Sequence, residues 1–334
     1  MVKTATEQKN LLVNDFTQGV AHTPHQIVVP RYYGDTLLSL AHENENIVCL
    51  SADLTSPTET DIFRDTFPKR FINVGIAEAN MVGIAGGLAR GGMQPWLHTF
   101  CSFATRRCYD QVAMQIAYPK LNAKIVGFLP GLSTILGVTH QAIDDIALMR
   151  AIPNMTIIEP SGPAQVPAAV RAAAEHNGPV YLRLIRAAFA KPQSTEWEPM
   201  TIGRAEQLRK GTDFVLFASG ITVSLALQAA DLLEAQDFSV SVVNIPSVKP
   251  LDIQFIEKNS ACHRLVVTIE NHSIIGGLGS AVAECLAELD TAAPLLRIGV
   301  RDVFSQGASQ PYLLDQHGLT PQAIANAIIK RTQP

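Results

Sequence analysis

The stretch Asn73-Val74-Gly75-Ile76-Ala77-Glu78-Ala79-Asn80-Met81-Val82-Gly83-Ile84-Ala85-Gly86-Gly87-Leu88-Ala89 sets one carboxylate, Glu78, among alanine, isoleucine and methionine. A carboxyl group shielded from water is disfavoured in its charged form, so its pKa rises toward the range in which it can give and take protons. Glu78 is therefore a candidate proton donor and acceptor. Glutamate is also favoured near the positive N-terminus of any helix, and the residue pattern alone leaves both readings open. His140 is the second candidate. It follows Thr139 at a predicted helix start, where an imidazole can bind a hydroxyl or stabilise a developing alkoxide. A lone histidine is as readily structural, and His98 and His272 are assigned no role. Gly276-Gly277-Leu278-Gly279-Ser280 has the look of a dinucleotide loop, but a single glycine cluster of this kind is a weak signal and reads as the opening of a helix.

The elements that must position these residues alternate along the chain. Short β-branched runs, Ile47-Val48-Cys49-Leu50, Lys124-Ile125-Val126-Gly127-Phe128, Thr156-Ile157-Ile158 and Val180-Tyr181-Leu182, read as strands. Between them lie alanine-rich segments of helical spacing. Tyr109, Val112, Ala113 and Ile116 share one helical face, as do Ala77, Met81, Ile84, Ala85 and Leu88. The glycines around Glu78 make a strand end, a turn and a helix so poor in side chains that another backbone can pack on it. Strands alternating with helices predict crossover units and a parallel sheet covered on both faces. The alternation breaks at Lys191-Pro192-Gln193-Ser194-Thr195-Glu196-Trp197-Glu198-Pro199 and then resumes. Phe214-Val215-Leu216-Phe217, Val240-Ser241-Val242-Val243 and Leu265-Val266-Val267-Thr268-Ile269 read as strands, with helices over Gly220 to Glu234, Gly277 to Leu286 and Pro321 to Lys330. The prediction is α/β, with two consecutive parallel-sheet domains. They follow a polar segment at 1–26 and occupy 27–190 and 201–334, joined by a linker at 191–200.

Composition narrows the function classes. The 334 residues suffice for two ordinary cores. Hydrophobic residues make up 47 % and charged residues 17 %, outside the disordered range. With net charge −4 and Arg106-Arg107 as its largest basic cluster, the chain shows no nucleic-acid or membrane-surface footprint. The five cysteines are scattered and lack a CxxC, so they read as reduced thiols rather than a disulfide or zinc framework. No signal peptide or spanning apolar run is present, and the expected location is cytoplasmic.

The Glu78 stretch resembles the glutamate motif of the transketolase pyrimidine-binding domain, and further resemblances run in order along the chain. Arg31-Tyr32-Tyr33-Gly34-Asp35-Thr36-Leu37-Leu38 is similar to that family's opening helix, and Ser51-Ala52-Asp53-Leu54-Thr55 to its Ser-Ala-Asp-Leu strand end. Thr99-Phe100-Cys101-Ser102-Phe103, with Arg106-Arg107 and Asp110-Gln111, resembles its aromatic stacking loop and helix. Gly137-Val138-Thr139-His140-Gln141, then Asp145 and Arg150, resembles its Thr-His-Gln helix start. Tyr181-Leu182-Arg183-Leu184-Ile185-Arg186 closes the domain in family style, and Ile269-Glu270-Asn271-His272 before the glycine cluster is similar to the transketolase C-terminal domain. Several motifs in the right order are a far stronger signal than any one.

The resemblance implies a thiamin-diphosphate enzyme that moves a two-carbon glycolaldehyde unit from a ketose phosphate to an aldose phosphate. Glu78 would hydrogen-bond the cofactor's aminopyrimidine and drive formation of its imino tautomer and ylid. Phe100 and Phe103 would stack on the pyrimidine, and Asp53, Leu54 and Arg106 would complete the cofactor set. His140 would touch substrate, and Arg31 and Arg186 would grip a sugar phosphate as bidentate donors. The family's Gly-Asp-Gly diphosphate motif has no counterpart, since the pair Gly34-Asp35 is followed by Thr36. The chain thus resembles the second subunit of a split transketolase. It would hold no metal itself, with Mg2+ or Ca2+ and the diphosphate bound by an N-terminal partner subunit in an α2β2 heterotetramer.

One departure concerns the donor. Transketolases carry an aspartate ahead of the Thr-His-Gln segment, and this chain has Thr134-Ile135-Leu136-Gly137-Val138 there, with Leu136 in the aspartate's place. An upstream histidine of many sugar transketolases also lacks a counterpart near Phe128-Leu129-Pro130-Gly131. An apolar wall points to a donor other than xylulose 5-phosphate, such as the branched apulose 4-phosphate or another modified sugar. The alternatives are the β subunit of a 2-oxoacid dehydrogenase E1 component, which shares both domains, and a non-catalytic scaffold. Deoxyxylulose-phosphate synthase is a relative that normally keeps all its domains on one chain.

Overall fold

Strands that are apolar on both faces must be covered on both faces, and seven of the strands here are buried at every residue. The computed structural model describes residues 30–186, 199–290 and 292–333. The polar segment at 1–26 and most of the expected linker lie outside the described residues. The first half of the chain contains α1 (Tyr32–Glu43), β1 (Ile47–Ser51), α2 (Asp61–Thr66), β2 (Phe71–Asn73), α3 (Glu78–Arg90), β3 (Gln94–Phe100), α4 (Cys101–Arg106) and α5 (Tyr109–Gln111). There follow β4 (Lys124–Phe128), α6 (Asp145–Ala151), β5 (Thr156–Ile158), α7 (Val166–Glu175) and β6 (Val180–Leu184). The second half runs β7 (Glu206–Arg209), β8 (Phe214–Ala218), α8 (Thr222–Glu234), β9 (Val240–Asn244), β10 (Ser247–Lys249), α9 (Ile253–Cys262) and β11 (Leu265–Ser273). It ends with α10 (Leu278–Ala287), β12 (Leu295–Val300), α11 (Gln310–Gln316) and α12 (Pro321–Thr332).

The strands form two α/β sheets dominated by parallel pairing, as the alternation predicted. The first has order β10-β5-β6-β4-β3-β1-β2 and the second β12-β11-β8-β9-β7. The two sheets are not strictly sequential: β10, from the second half, adds antiparallel to β5, with Ser247 opposite Ile158. β7 is the antiparallel edge of the second sheet. Side chains alternate across each strand, so Val48 and Leu50 of β1 pack with Met81, Val82 and Ala85 of α3, while Ile47 and Cys49 face α1 and α7. Fully burying a side chain such as Met81 or Val82 contributes about 1.5–3 kcal/mol.

Two local features depart from the plain pattern. Pro95 lies inside the central strand β3, where proline would normally cost a ladder hydrogen bond; pairing with β4 starts only at Trp96, so no donor is needed from Pro95 on that side. After α5 the chain widens into a π-helical turn over Val112–Ala117. The turn lays the Gln115 backbone carbonyl against α3, where a Cβ on Gly86 would come within 3.1 Å of it. This is the backbone contact that the small-residue helix invites. No described helix is long and apolar enough to cross a membrane.

The two sheets meet across a buried polar network centred on Arg183 of β6. Its guanidinium donates from Nε to Asp145 Oδ2 at 2.7 Å, pairs with Glu159, and reaches the backbone carbonyl of Asn271 on β11 at 2.9 Å. Tyr181 donates to the same Asp145 oxygen at 2.7 Å, and Ser219 of the second unit donates to Glu159 at 2.6 Å. Burial alone would raise the Asp145 carboxyl, but Arg183 and then His272 outweigh it and hold it below its ordinary range.

Candidate active site

In an open parallel sheet, ligands bind beyond the carboxyl ends of the strands, and the singled-out residues collect there. The neighbouring strands β4, β3, β1 and β2 end at Phe128, Phe100, Ser51 and Asn73. The segments that follow carry His140 and Asp53 in loops, Phe103 in α4 and Glu78 at the start of α3. Because α1 runs into β1 through a short turn, its N-terminus, with Arg31, lies at the same edge. Arg186 follows β6 on that side as well.

Glu78 is the first residue of α3 and only 5 % of its side chain is exposed. The turn before it is set by Asn73, whose Oδ1 accepts from Gly75 N at 3.0 Å and Asp53 N at 3.2 Å, while its Nδ2 donates to Asp53 Oδ1 at 3.2 Å. Asn73 therefore ties the end of β1 to the entry of α3. Asp53 itself is exposed and held at φ 59°, a left-handed conformation that aspartate tolerates better than most residues. Leu54 is half-buried and packs inward on the cluster that contains Tyr33 and Phe63.

Phe100, Phe103 and His140 form an aromatic group beside Glu78. The two phenylalanine rings lie 5.8 Å apart, and His140 packs on both, at 5.9 Å from Phe100 and edge-on at 5.0 Å from Phe103. Arg107 connects this group to the carboxylate: Nη1 donates to Glu78 Oε1 at 2.8 Å, and Cζ stands 3.7 Å from the Phe103 ring centre. Burial, with the charge of Arg107 adding to it, holds the His140 imidazole below its ordinary pKa. A neutral imidazole keeps one ring nitrogen as donor and one as acceptor, and Nδ1 lies 2.9 Å from the Thr139 hydroxyl.

One sequence expectation is corrected. His140 does not start a helix. It closes a turn in which both its own N–H and that of Gln141 donate to Gly137 O, at 3.0 and 3.1 Å. Ala142 then bridges to Pro130, and α6 begins only at Asp145. Arg106 is tied to the turn that carries His140. It pairs with Asp144 through Nη2 at 2.7 Å and Nε at 2.9 Å, and donates to Gln141 O at 3.0 Å. Arg106 thus braces the His140 turn, while its neighbour Arg107 takes the place beside Glu78. The turn is also braced from the second unit, where Gln306 O accepts from Gln141 Nε2 at 2.9 Å. Leu136 stands just ahead of it and is 42 % exposed.

The arginines form a separate group. Arg31 pairs with Asp61, one of its bonds measuring 3.1 Å. Arg186 Nε lies 3.7 Å from Glu59 Oε1, and Glu59 also accepts from Gly34 N at 3.1 Å. Burial pushes the Glu59 carboxyl up, and the Gly34 N–H, Arg186 and Arg31 pull against it. Asn73, Arg107 and Glu59 were not singled out from sequence. Asn73 and Arg107 lay inside quoted motifs, but nothing in their spacing tells a clamp or a stacked guanidinium from a surface side chain. Among the described residues no group of three or more histidine, cysteine, aspartate or glutamate side chains could hold a metal ion.

Comparison with known proteins matches this architecture. Residues 25–191 match the model of the transketolase pyrimidine binding domain and residues 203–324 that of the transketolase C-terminal domain. The 6-deoxy-6-sulfo-D-fructose transketolase subunit SqwH of Clostridium sp. (strain MSTE9) is 43 % identical over 302 residues, which cover 90 % of this chain and 93 % of that protein. A 1-deoxy-D-xylulose-5-phosphate synthase of Synechococcus sp. (strain JA-2-3B'a(2-13)) is 35 % identical over 96 % of this chain, which spans 50 % of that protein. Among solved structures, a split gene transketolase described as an inactive beta4 tetramer is 42 % identical, with a TM-score of 0.82 over 90 % of this chain and 96 % of its own. The chain belongs to the transketolase family and carries that family's pyrimidine-binding and C-terminal domains in order.

Proposed function

We propose that the chain is one subunit of a thiamin-diphosphate transketolase that moves a two-carbon unit between sugar phosphates, with Glu78 as its acid–base group. The observation that carries this reading is the meeting of a buried carboxylate, a phenylalanine face and a neutral histidine at the carboxyl edge of the first sheet. That arrangement fits the pyrimidine half of the cofactor: the Phe103 face suits a flat ring, and Glu78 suits a ring nitrogen that must be held protonated. When bound, thiamin diphosphate supplies the electron sink that lets a carbon–carbon bond beside a carbonyl break and re-form. Glu78 holds and moves the proton at the pyrimidine edge, Phe100 and Phe103 orient the ring and exclude water, and Asp53 and Leu54 shape the floor. His140 hydrogen-bonds an oxygen of the substrate.

Arg31 and Arg186 take the anionic end of the sugar. A relative at 43 % identity is named for a sulfonated ketose, which agrees with a donor carrying a charged terminus and some change from the common sugars. Leu136 sets the donor range, since it offers no partner to a hydroxyl directed at it. The diphosphate and its divalent metal belong to a partner chain in an α2β2 assembly, consistent with the inactive state described for the tetramer of a split-gene relative made of one chain type.

The test combines this chain with a transketolase N-terminal subunit, thiamin diphosphate and magnesium, and measures two-carbon transfer over a panel of ketose phosphates and sulfonates. Transfer by the pair and by neither chain alone is the expected result. Decarboxylation of 2-oxoacids with no sugar transfer would instead establish the dehydrogenase reading.

A further inference from the structure

Glu78 and Phe103 together make a seat for a flat group that carries hydrogen-bond donors along its edge. In this chain Arg107 takes that seat, with Nη1 donating to Glu78 Oε1 at 2.8 Å and Cζ 3.7 Å from the Phe103 ring centre. A guanidinium is planar, delocalised, and presents its N–H groups in its own plane. An aminopyrimidine offers the same combination of a flat face and an amidine-like edge. Both contacts assigned above to the pyrimidine are therefore already made by one side chain.

The partners differ in freedom. The Glu78 side chain is 5 % exposed, whereas that of Arg107 is 46 % exposed. Arg107 follows directly on α4 and precedes the buried Cys108, so its backbone is fixed while its long side chain borders water. Such a side chain can lift its charged head into solvent without disturbing the core. A buried carboxylate left with no partner is costly, so Arg107 also compensates Glu78 until another donor arrives.

We propose that Arg107 is an internal stand-in for the cofactor's aminopyrimidine, closing the seat in the unloaded chain and swinging out when the cofactor enters. The inference rests on the cofactor reading given above. Arg107 and the pyrimidine then compete for one carboxylate and one ring face, and the chain resists loading until binding energy from elsewhere displaces the arginine.

The experiment labels carboxylates of the full-length chain with a water-soluble carbodiimide and an amine, reading Glu78 by mass spectrometry. Wild type, Arg107→Ala and Arg107→Lys are compared, with the buried Glu270 as a monitor of global unfolding. Glu78 is expected to label several-fold faster in Arg107→Ala at an unchanged Glu270 rate, with Arg107→Lys between, because lysine can pair but not stack. Thiamin, which carries the aminopyrimidine without the diphosphate, is then titrated in, and it should suppress Glu78 labelling at lower concentration in Arg107→Ala than in wild type. Equal Glu78 labelling in wild type and Arg107→Ala overturns the proposal, as does a higher thiamin requirement in the variant. If labelling differs as expected but thiamin protects neither protein, the arginine contact stands and the cofactor reading fails.

Discussion

His140 packs against two phenylalanine rings with Arg107 nearby, and both features bear on when it is charged. Its folded pKa lies below the ordinary 6.5, so the fold favours the neutral ring. The stability this provides is fully present above about pH 6.5 and is lost as pH falls through the folded value. A histidine-ring NMR titration of the intact chain should place the His140 midpoint below 6.5, and a midpoint at or above that value would contradict the environment described. Leu136 makes a different claim. A hydroxyl directed at it loses water and gains no partner, and with Leu136 partly exposed the cost falls at the low end, about 1 kcal/mol. Leu136→Asp should therefore shift the ratio of kcat/KM values toward xylulose 5-phosphate by about fivefold in a two-donor competition. No shift would remove this residue from specificity. Glu78 and His140 were singled out from sequence by residue type, setting and motif. Arg107 was not, because its role depends on which way one of two adjacent arginines points.

Elements carry these residues to their places, and the sequence was most legible where a strand is a pure apolar run. The runs at β1, β4, β8 and β9 all appear as strands with near-identical bounds, while that at β11 runs on to Ser273. β3 went unread because Pro95 interrupts its pattern, and only the stagger of its neighbours makes that proline harmless. The His140 turn misled for a physical reason too. Gly137, at φ 80°, lets the chain close a hydrogen-bonded turn, and helical spacing cannot report a left-handed residue. Gly137→Ala should cost about 1–2 kcal/mol in chemical denaturation, the ordinary penalty for a side chain in that conformation. Its loss of two-carbon transfer should exceed what that instability explains, because His140 moves with the turn. An alanine variant with wild-type stability and turnover would show that the turn geometry is dispensable.

At the scale of the molecule, the two α/β units share one buried network, and the site depends on both. Arg183 joins Asp145 and Glu159 of the first unit to the Asn271 backbone of the second, with no side-chain exposure at Arg183 or Asp145. Removing one partner of a buried ion pair leaves an uncompensated charge, typically about 3–5 kcal/mol. Arg183→Met should lower unfolding stability by that amount in urea titration, and a loss below about 1 kcal/mol would mean the network is not what joins the units. The division into two α/β units was legible from the break in alternation. The crossing of β10 into the first sheet was not, because a three-residue strand has too little pattern to show which sheet it joins.

The central claim is that Glu78 of this chain is the acid–base group of a site completed by a partner subunit. The most direct measurement is the kcat for two-carbon transfer by the reconstituted pair carrying Glu78→Gln, with thiamin diphosphate affinity measured on the same preparation. A drop of about 10²–10⁴ with the complex still assembled is the predicted result. Near-normal turnover at unchanged cofactor affinity would contradict the account.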